Sequence, residues 1–129
     1  MKNKWRLTAI TAWATILALA VMGCTHPPQG QLTKVSFHQN ILPIFTTYCA
    51  INSSCHLGAN GANDEVSLDS ASAYTSLISK NLLNLSDPTA SILYQQVATG
   101  VMPKSPQAKL SDADINLILL WIQQGAPDN

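Results

Sequence analysis

The residues richest in chemistry are Cys49-Ala-Ile-Asn-Ser-Ser-Cys55-His56 and, further along the chain, Met102-Pro103. Two thiols with a histidine directly after the second are what covalent attachment of a haem requires: the cysteines add across the vinyl groups and the imidazole reaches the iron. A methionine thioether can close the other axial position. Five residues separate the two cysteines, where two are usual, so residues 50–54 must bulge outward, and Asn52-Ser53-Ser54 suits such a turn. The same residues serve two other chemistries. In an oxidising compartment Cys49 and Cys55 can close a small disulfide loop, and a Cys-Cys-His set can hold zinc or copper, one ligand short. A solvated loop histidine and a core-filling methionine are the plainer readings of His56 and Met102.

The N-terminus says where this chemistry takes place. Residues 1–6 carry Lys2, Lys4 and Arg6, and residues 7–22 are uncharged, ending in Val21-Met22-Gly23-Cys24. This is a secretory signal, too short and wrongly flanked for a spanning helix. A small residue just before a cysteine resembles a bacterial lipobox. That likeness implies a lipoprotein signal peptide over 1–23, lipidation of Cys24 and attachment to a membrane through the lipid; the alternative is an ordinary cleaved signal or an uncleaved anchor. Thr25 stands where an Asp would favour inner-membrane retention in many Gram-negative bacteria. It points to a periplasm-facing lipoprotein of the bacterial cell envelope, in the outer membrane rather than the inner.

Removing the signal changes the counts. Over residues 24–129 four lysines stand against seven acids, a formal charge of 4 − 7 = −3, although the whole chain sums to zero. No basic cluster is available for nucleic acid. With Cys24 lipidated, Cys49 and Cys55 are the remaining thiols and Met102 the remaining methionine. The 106 residues from Cys24 onward make one small domain, marginal on burial alone, to which a large apolar cofactor would add core volume.

The elements that must position these groups read as helices. Residues 24–35, with Pro27-Pro28 and Gly30, form a flexible tether, and the packed domain spans 36–129. Phe37, Ile41, Ile44, Phe45 and Tyr48 make one helical stripe; Pro43 belongs in a first turn, which predicts a helix from about Asn40 to Cys49. A loop over 57–67 leads to a short helix capped by Asp69, with Tyr74, Leu77 and Ile78 on one face. Asp87-Pro88 opens a helix bearing Ala90, Leu93, Tyr94, Val97 and Ala98, which Gly100 stops before a Pro-bounded loop around Met102. Ser111 caps the last helix, whose stripes of Ile115, Ile118, Leu119, Ile122 and of Leu117, Leu120, Trp121 predict burial against more than one neighbour. No strand, internal repeat or low-complexity segment is indicated.

In that order the chain resembles a small class I-type cytochrome c, of the kind found as bacterial lipoproteins. The likeness covers residues 40–126 and rests on Ile41-Leu-Pro-Ile-Phe45 before the cysteine pair, Asp87-Pro88 with Ser91-Ile-Leu-Tyr94, Met102-Pro103, and Leu110-Ser-Asp-Ala-Asp114 running into Trp121-Ile-Gln-Gln-Gly-Ala126. It implies an all-α fold of about four helices around one covalent haem c. Cys49 and Cys55 would be the thioether anchors and His56 and Met102 the axial ligands. The helices near 40–49 and 111–124 would cross and cover one side of the cofactor. The expected role is a monomeric, membrane-tethered electron carrier serving redox partner proteins. Tyr94 and Trp121 fit core stripes and stand second as haem-edge groups, while His38 reads as solvated. No Ser-His-Asp set is suitably spaced and the acid pair Asp64-Glu65 sits in a turn, so no enzyme activity is expected. Two rivals remain: a haem-free structural or interaction lipoprotein stapled by Cys49–Cys55, and a haem sensor or peroxidase in which Met102 leaves the iron readily.

Overall fold

The computed structural model describes residues 34–58 and 66–129. The signal segment, Cys24, most of the tether and the acid pair Asp64-Glu65 lie outside the described residues. Among the described residues all regular structure is helical: a π-helical turn Phe37–Ile41 leading straight into α1 (Leu42–Tyr48), then α2 (Ala73–Ser79), a 3-10 turn Pro88–Ala90, α3 (Ile92–Ala98) and α4 (Asp112–Gln123).

The first helix begins three residues earlier than its proline predicts. Ser36 caps the turn through its Oγ, which accepts from the Gln39 N–H at 3.2 Å. The wide turn uses i→i−5 bonds, with Ile41 N–H donating to the Ser36 carbonyl at 3.3 Å and Leu42 N–H to that of Phe37. The change of register puts Pro43 in the first turn of α1, where a missing N–H costs nothing. Phe37, Ile41, Ile44 and Phe45 are buried and Tyr48 is half-buried, so the stripe faces the core as its period requires. Val35 is also packed, at 2 % exposure, one residue ahead of the expected domain boundary.

The core gathers on α4. Ile118, Trp121 and Ile122 are fully buried, and the helix packs against Phe37–Ile41, the 3-10 turn and α3. The Phe37 ring lies 5.3 Å from both Trp121 and Tyr74 and 6.2 Å from Phe45, an aromatic cluster in mostly edge-on contact. Ser111 caps α4 by accepting from the Asp114 N–H at 3.1 Å, and Gly125 ends it with a φ of +90°. The chain then runs back along the first helical turn: Tyr74 Oη donates to the Ala126 carbonyl at 3.1 Å, and Phe37 N–H to Asn129 Oδ1 at 3.0 Å.

Two helices differ from expectation, the first because bonds to the preceding loop outbid the local period. The helix predicted from Asp87 to Ala98 is split at Ser91, which is extended (φ −62°, ψ 130°) and 1 % exposed. Its Oγ accepts from the Asn84 N–H at 2.9 Å, and Leu93 N–H donates to the Leu82 carbonyl at 3.2 Å, so the chain is held to the preceding loop at the break. Leu93 and Val97 are buried while Ala90 and Ala98 are exposed. In α2, Ala73 and Leu77 face the core and Ile78 is 49 % exposed. Asp69 organises the entry to α2, accepting from the N–H groups of Ala71 and Ser72 at 2.9 Å and from the Ser67 and Ser72 hydroxyls at 2.8 Å. The Ser67 hydroxyl, then the Ser72 hydroxyl and the backbone donors hold its carboxyl down to about 2 against the opposing effect of burial.

Candidate functional site

Cys49 sits at the end of α1, where its N–H and that of Ala50 both donate to the Phe45 carbonyl at 2.8 Å. The long step to Cys55 is then folded away. Asn52 Oδ1 accepts from the Ser54 N–H at 2.9 Å, the Asn52 carbonyl accepts from Cys55 N–H at 3.0 Å, and the Cys49 carbonyl accepts from His56 N–H at 3.0 Å. The surplus residues loop into solvent, and the chain re-enters at His56, directly opposite the Cys49 carbonyl. The bulge comprises residues 51–54 and not 50–54, because Ala50 remains in the core at 7 % exposure.

His56 is fixed from the far side of the 57–67 loop. Its carbonyl accepts from Leu68 N–H at 2.8 Å and its Nδ1 lies 3.0 Å from the Val66 carbonyl. A carbonyl only accepts, so Nδ1 carries the proton and the lone pair is left on Nε2. An imidazole held this way through one nitrogen is set to ligate a metal through the other.

Met102 is presented by the loop after α3. Gly100 ends that helix with a φ of +68°, and Met102 N–H donates back to the Gln96 carbonyl at 2.9 Å. Pro103 is buried beside it. Lys109 Nζ donates to the Gly100 carbonyl at 2.6 Å and also to the Pro103 carbonyl.

These three segments meet at one cavity of about 240 Å³, open to solvent on one side. Cys49, Cys55, His56 and Met102 all line it. The rest of the wall is mainly apolar, with Tyr48, Val66, Leu68, Leu82, Ile92, Leu93, Val97 and Pro103; Ser54, Gln96, Lys104 and Gln107 add its polar edge. Cys49 and Cys55 are unbridged, and burial first, then the neighbouring Cys55, push the Cys49 thiol up to about 11. The thiol is therefore protonated at neutral pH. Among the described residues no three His, Cys, Asp or Glu side chains cluster as a metal site.

The remaining candidates lie elsewhere. Trp121 is fully buried and donates from Nε1 to the Pro127 carbonyl at 3.0 Å, and Tyr94 packs half-buried on the core; neither lines the cavity. His38 pairs with Asp128 at 3.1 Å, both half-exposed, and stays away from the cavity wall. Residues of α4 do not line the cavity either. The helix packs against Phe37–Ile41, where Phe37 and Trp121 are buried together, and so backs the core and not the cavity. Sequence reasoning passed over Val66, Gln96 and Lys109. The first two act through backbone carbonyls, which leave no trace in residue type, and a lone lysine after a Pro-bounded loop looks like any solvated charge.

No protein-family model, curated protein or solved structure matches the chain. No helix among the described residues is long and apolar enough to cross a membrane.

Proposed function

We propose that the protein is an exported, membrane-tethered electron carrier of the c-type cytochrome kind, with one covalently bound haem. The observation that carries this reading is the convergence of two thiols, an imidazole with its Nε2 free and the one methionine after residue 22 on a single apolar cavity. That donor set fits the group. Cys49 and Cys55 would hold the macrocycle through thioether bonds, with His56 Nε2 and Met102 Sδ on the iron. When bound, such a haem supplies a one-electron iron couple with a reduction potential raised by its thioether ligand.

The chain's own part is to hold and to exclude. The Val66 carbonyl holds the His56 ring and the Gln96 carbonyl anchors the backbone at Met102, so the two side chains that would hold the group are fixed by the protein itself. With both His56 and Met102 holding the group, little room would be left beside it for a small-molecule substrate, as suits a carrier and not a sensor or peroxidase. Leu93 and Val97 keep water from the inner wall. A formal charge of −3 over residues 24–129 suits partners with a basic docking patch. Lipid on Cys24, with the Pro-rich residues after it as a spacer, would keep the domain at the outer membrane's periplasmic face.

The test is a spectroelectrochemical titration of protein matured with its signal intact, followed by exposure of the reduced form to carbon monoxide. A single reversible one-electron couple with no carbon monoxide uptake is expected. Ready uptake would indicate an open-site sensor or peroxidase, and a colourless folded protein a structural lipoprotein stapled through its thiols.

A further inference from the structure

The geometry points to Lys109 as the residue that positions Met102, an electrostatic clasp on the loop that carries the thioether. This inference rests on the proposed function, because it assigns a role to Lys109 through Met102. The Lys109 ammonium donates to two main-chain carbonyls, those of Gly100, at 2.6 Å, and Pro103. These two acceptors bracket Val101-Met102. The Gly100 carbonyl lies just past the C-terminal end of α3, where unpaired carbonyls and the helix dipole favour a cation. An ammonium has three donors, so one side chain can hold both ends of the bracket at once.

Among the described residues the loop is otherwise held at a few points: Gly100 N–H donates to the Val97 carbonyl at 3.1 Å, Met102 N–H to the Gln96 carbonyl at 2.9 Å and Gln107 N–H to the Lys104 carbonyl at 3.0 Å, and Pro103 is buried. Val101 is 53 % exposed, so packing does not hold the residue before the thioether. Glycine at position 100 serves its φ of +68° and not space, since a Cβ added there would meet the Lys109 side chain at an ordinary 4.0 Å. Lys109 itself is exposed, and its removal takes no apolar volume from the core.

The test compares Lys109→Met, Lys109→Arg and, as a control at an exposed lysine, Lys80→Met. Hydrogen exchange at the Met102 amide reads the loop directly, whether or not haem is present. The ferric thioether–iron charge-transfer band and carbon monoxide uptake by the reduced protein read the ligand. Lys109→Met should exchange the Met102 amide about tenfold faster, as the loss of a charge-assisted bond predicts. The band should weaken and carbon monoxide should enter. The melting temperature should stay near that of Lys80→Met, and Lys109→Arg should restore most of the effect. Unchanged Met102 exchange in Lys109→Met overturns the clasp, as does a loss that spreads evenly over the whole domain. If the wild type carries no haem, the proposed function falls, while the exchange comparison still decides whether Lys109 holds the loop.

Discussion

Enlarging Val97 separates a cofactor seat from an ordinary core. Val97 lies on α3, is 5 % exposed and lines the cavity of about 240 Å³. Val97→Phe adds four carbons where the structure offers space. At about 0.8 kcal/mol per buried CH₂ the ceiling is about 3 kcal/mol. The cavity is open on one side and the ring must fix a second torsion, which leaves about 1–2 kcal/mol of stabilisation. In a close-packed core the same change would cost about 1–3 kcal/mol, so the two cases differ in sign. Thermal unfolding of haem-free protein should show a rise of roughly 5–15 °C, from about 4–8 °C per kcal/mol for a domain of this size. The same variant, expressed with cytochrome maturation, should lose most of its covalent haem because the ring occupies the macrocycle's place. A fall in melting temperature would refute the cavity. A rise with undiminished haem attachment would refute its role as the cofactor's seat.

Three further outcomes follow from single contacts. Met102→Ala should bind carbon monoxide when reduced, whereas the wild type should not; equal binding by both would remove Met102 from the iron. Trp121→Phe loses the hydrogen bond to the Pro127 carbonyl and part of a fully buried ring, a cost of about 2–4 kcal/mol by chemical denaturation, and a loss below about 1 kcal/mol would contradict the packing around Phe37. The Asp69 carboxyl is held at about 2 against an ordinary 3.8, so its contribution is complete above about 3.8 and is lost as pH falls through about 2. Acid titration followed by circular dichroism should therefore show a loss of helix in that window which Asp69→Asn flattens; an identical profile in the variant would sink the assignment.

Helix identity was legible because the apolar periods are strong. The stripe of Phe37, Ile41, Ile44 and Phe45 and the broad face of α4 both turn inward as their spacing demands. Boundaries were less so. Ser91 falls inside the helix expected from Asp87 to Ala98 and instead breaks it, since burying its hydroxyl against Asn84 holds the residue extended. Pro43 pointed to a start near Asn40, and a π turn, which no residue type announces, moved the start to Phe37. At the site, residue types named Cys49, Cys55, His56 and Met102, and the structure lines one cavity with all four. The devices that orient them stayed hidden because a carbonyl oxygen looks the same in every residue. The widened cysteine spacing, expected to bulge outward, is folded by the Asn52 turn and the bond from His56 N–H to the Cys49 carbonyl.

The central claim is that Cys49 and Cys55 carry a haem covalently despite that spacing. The most direct measurement is a haem stain on a denaturing gel of protein expressed with its signal intact in a host with active cytochrome c maturation, beside Cys49→Ala and Cys55→Ala. Stain that survives denaturation in the wild type and weakens in both variants is the predicted result. A wild type that is exported and folded yet colourless would contradict the account and leave a lipoprotein held by its two thiols.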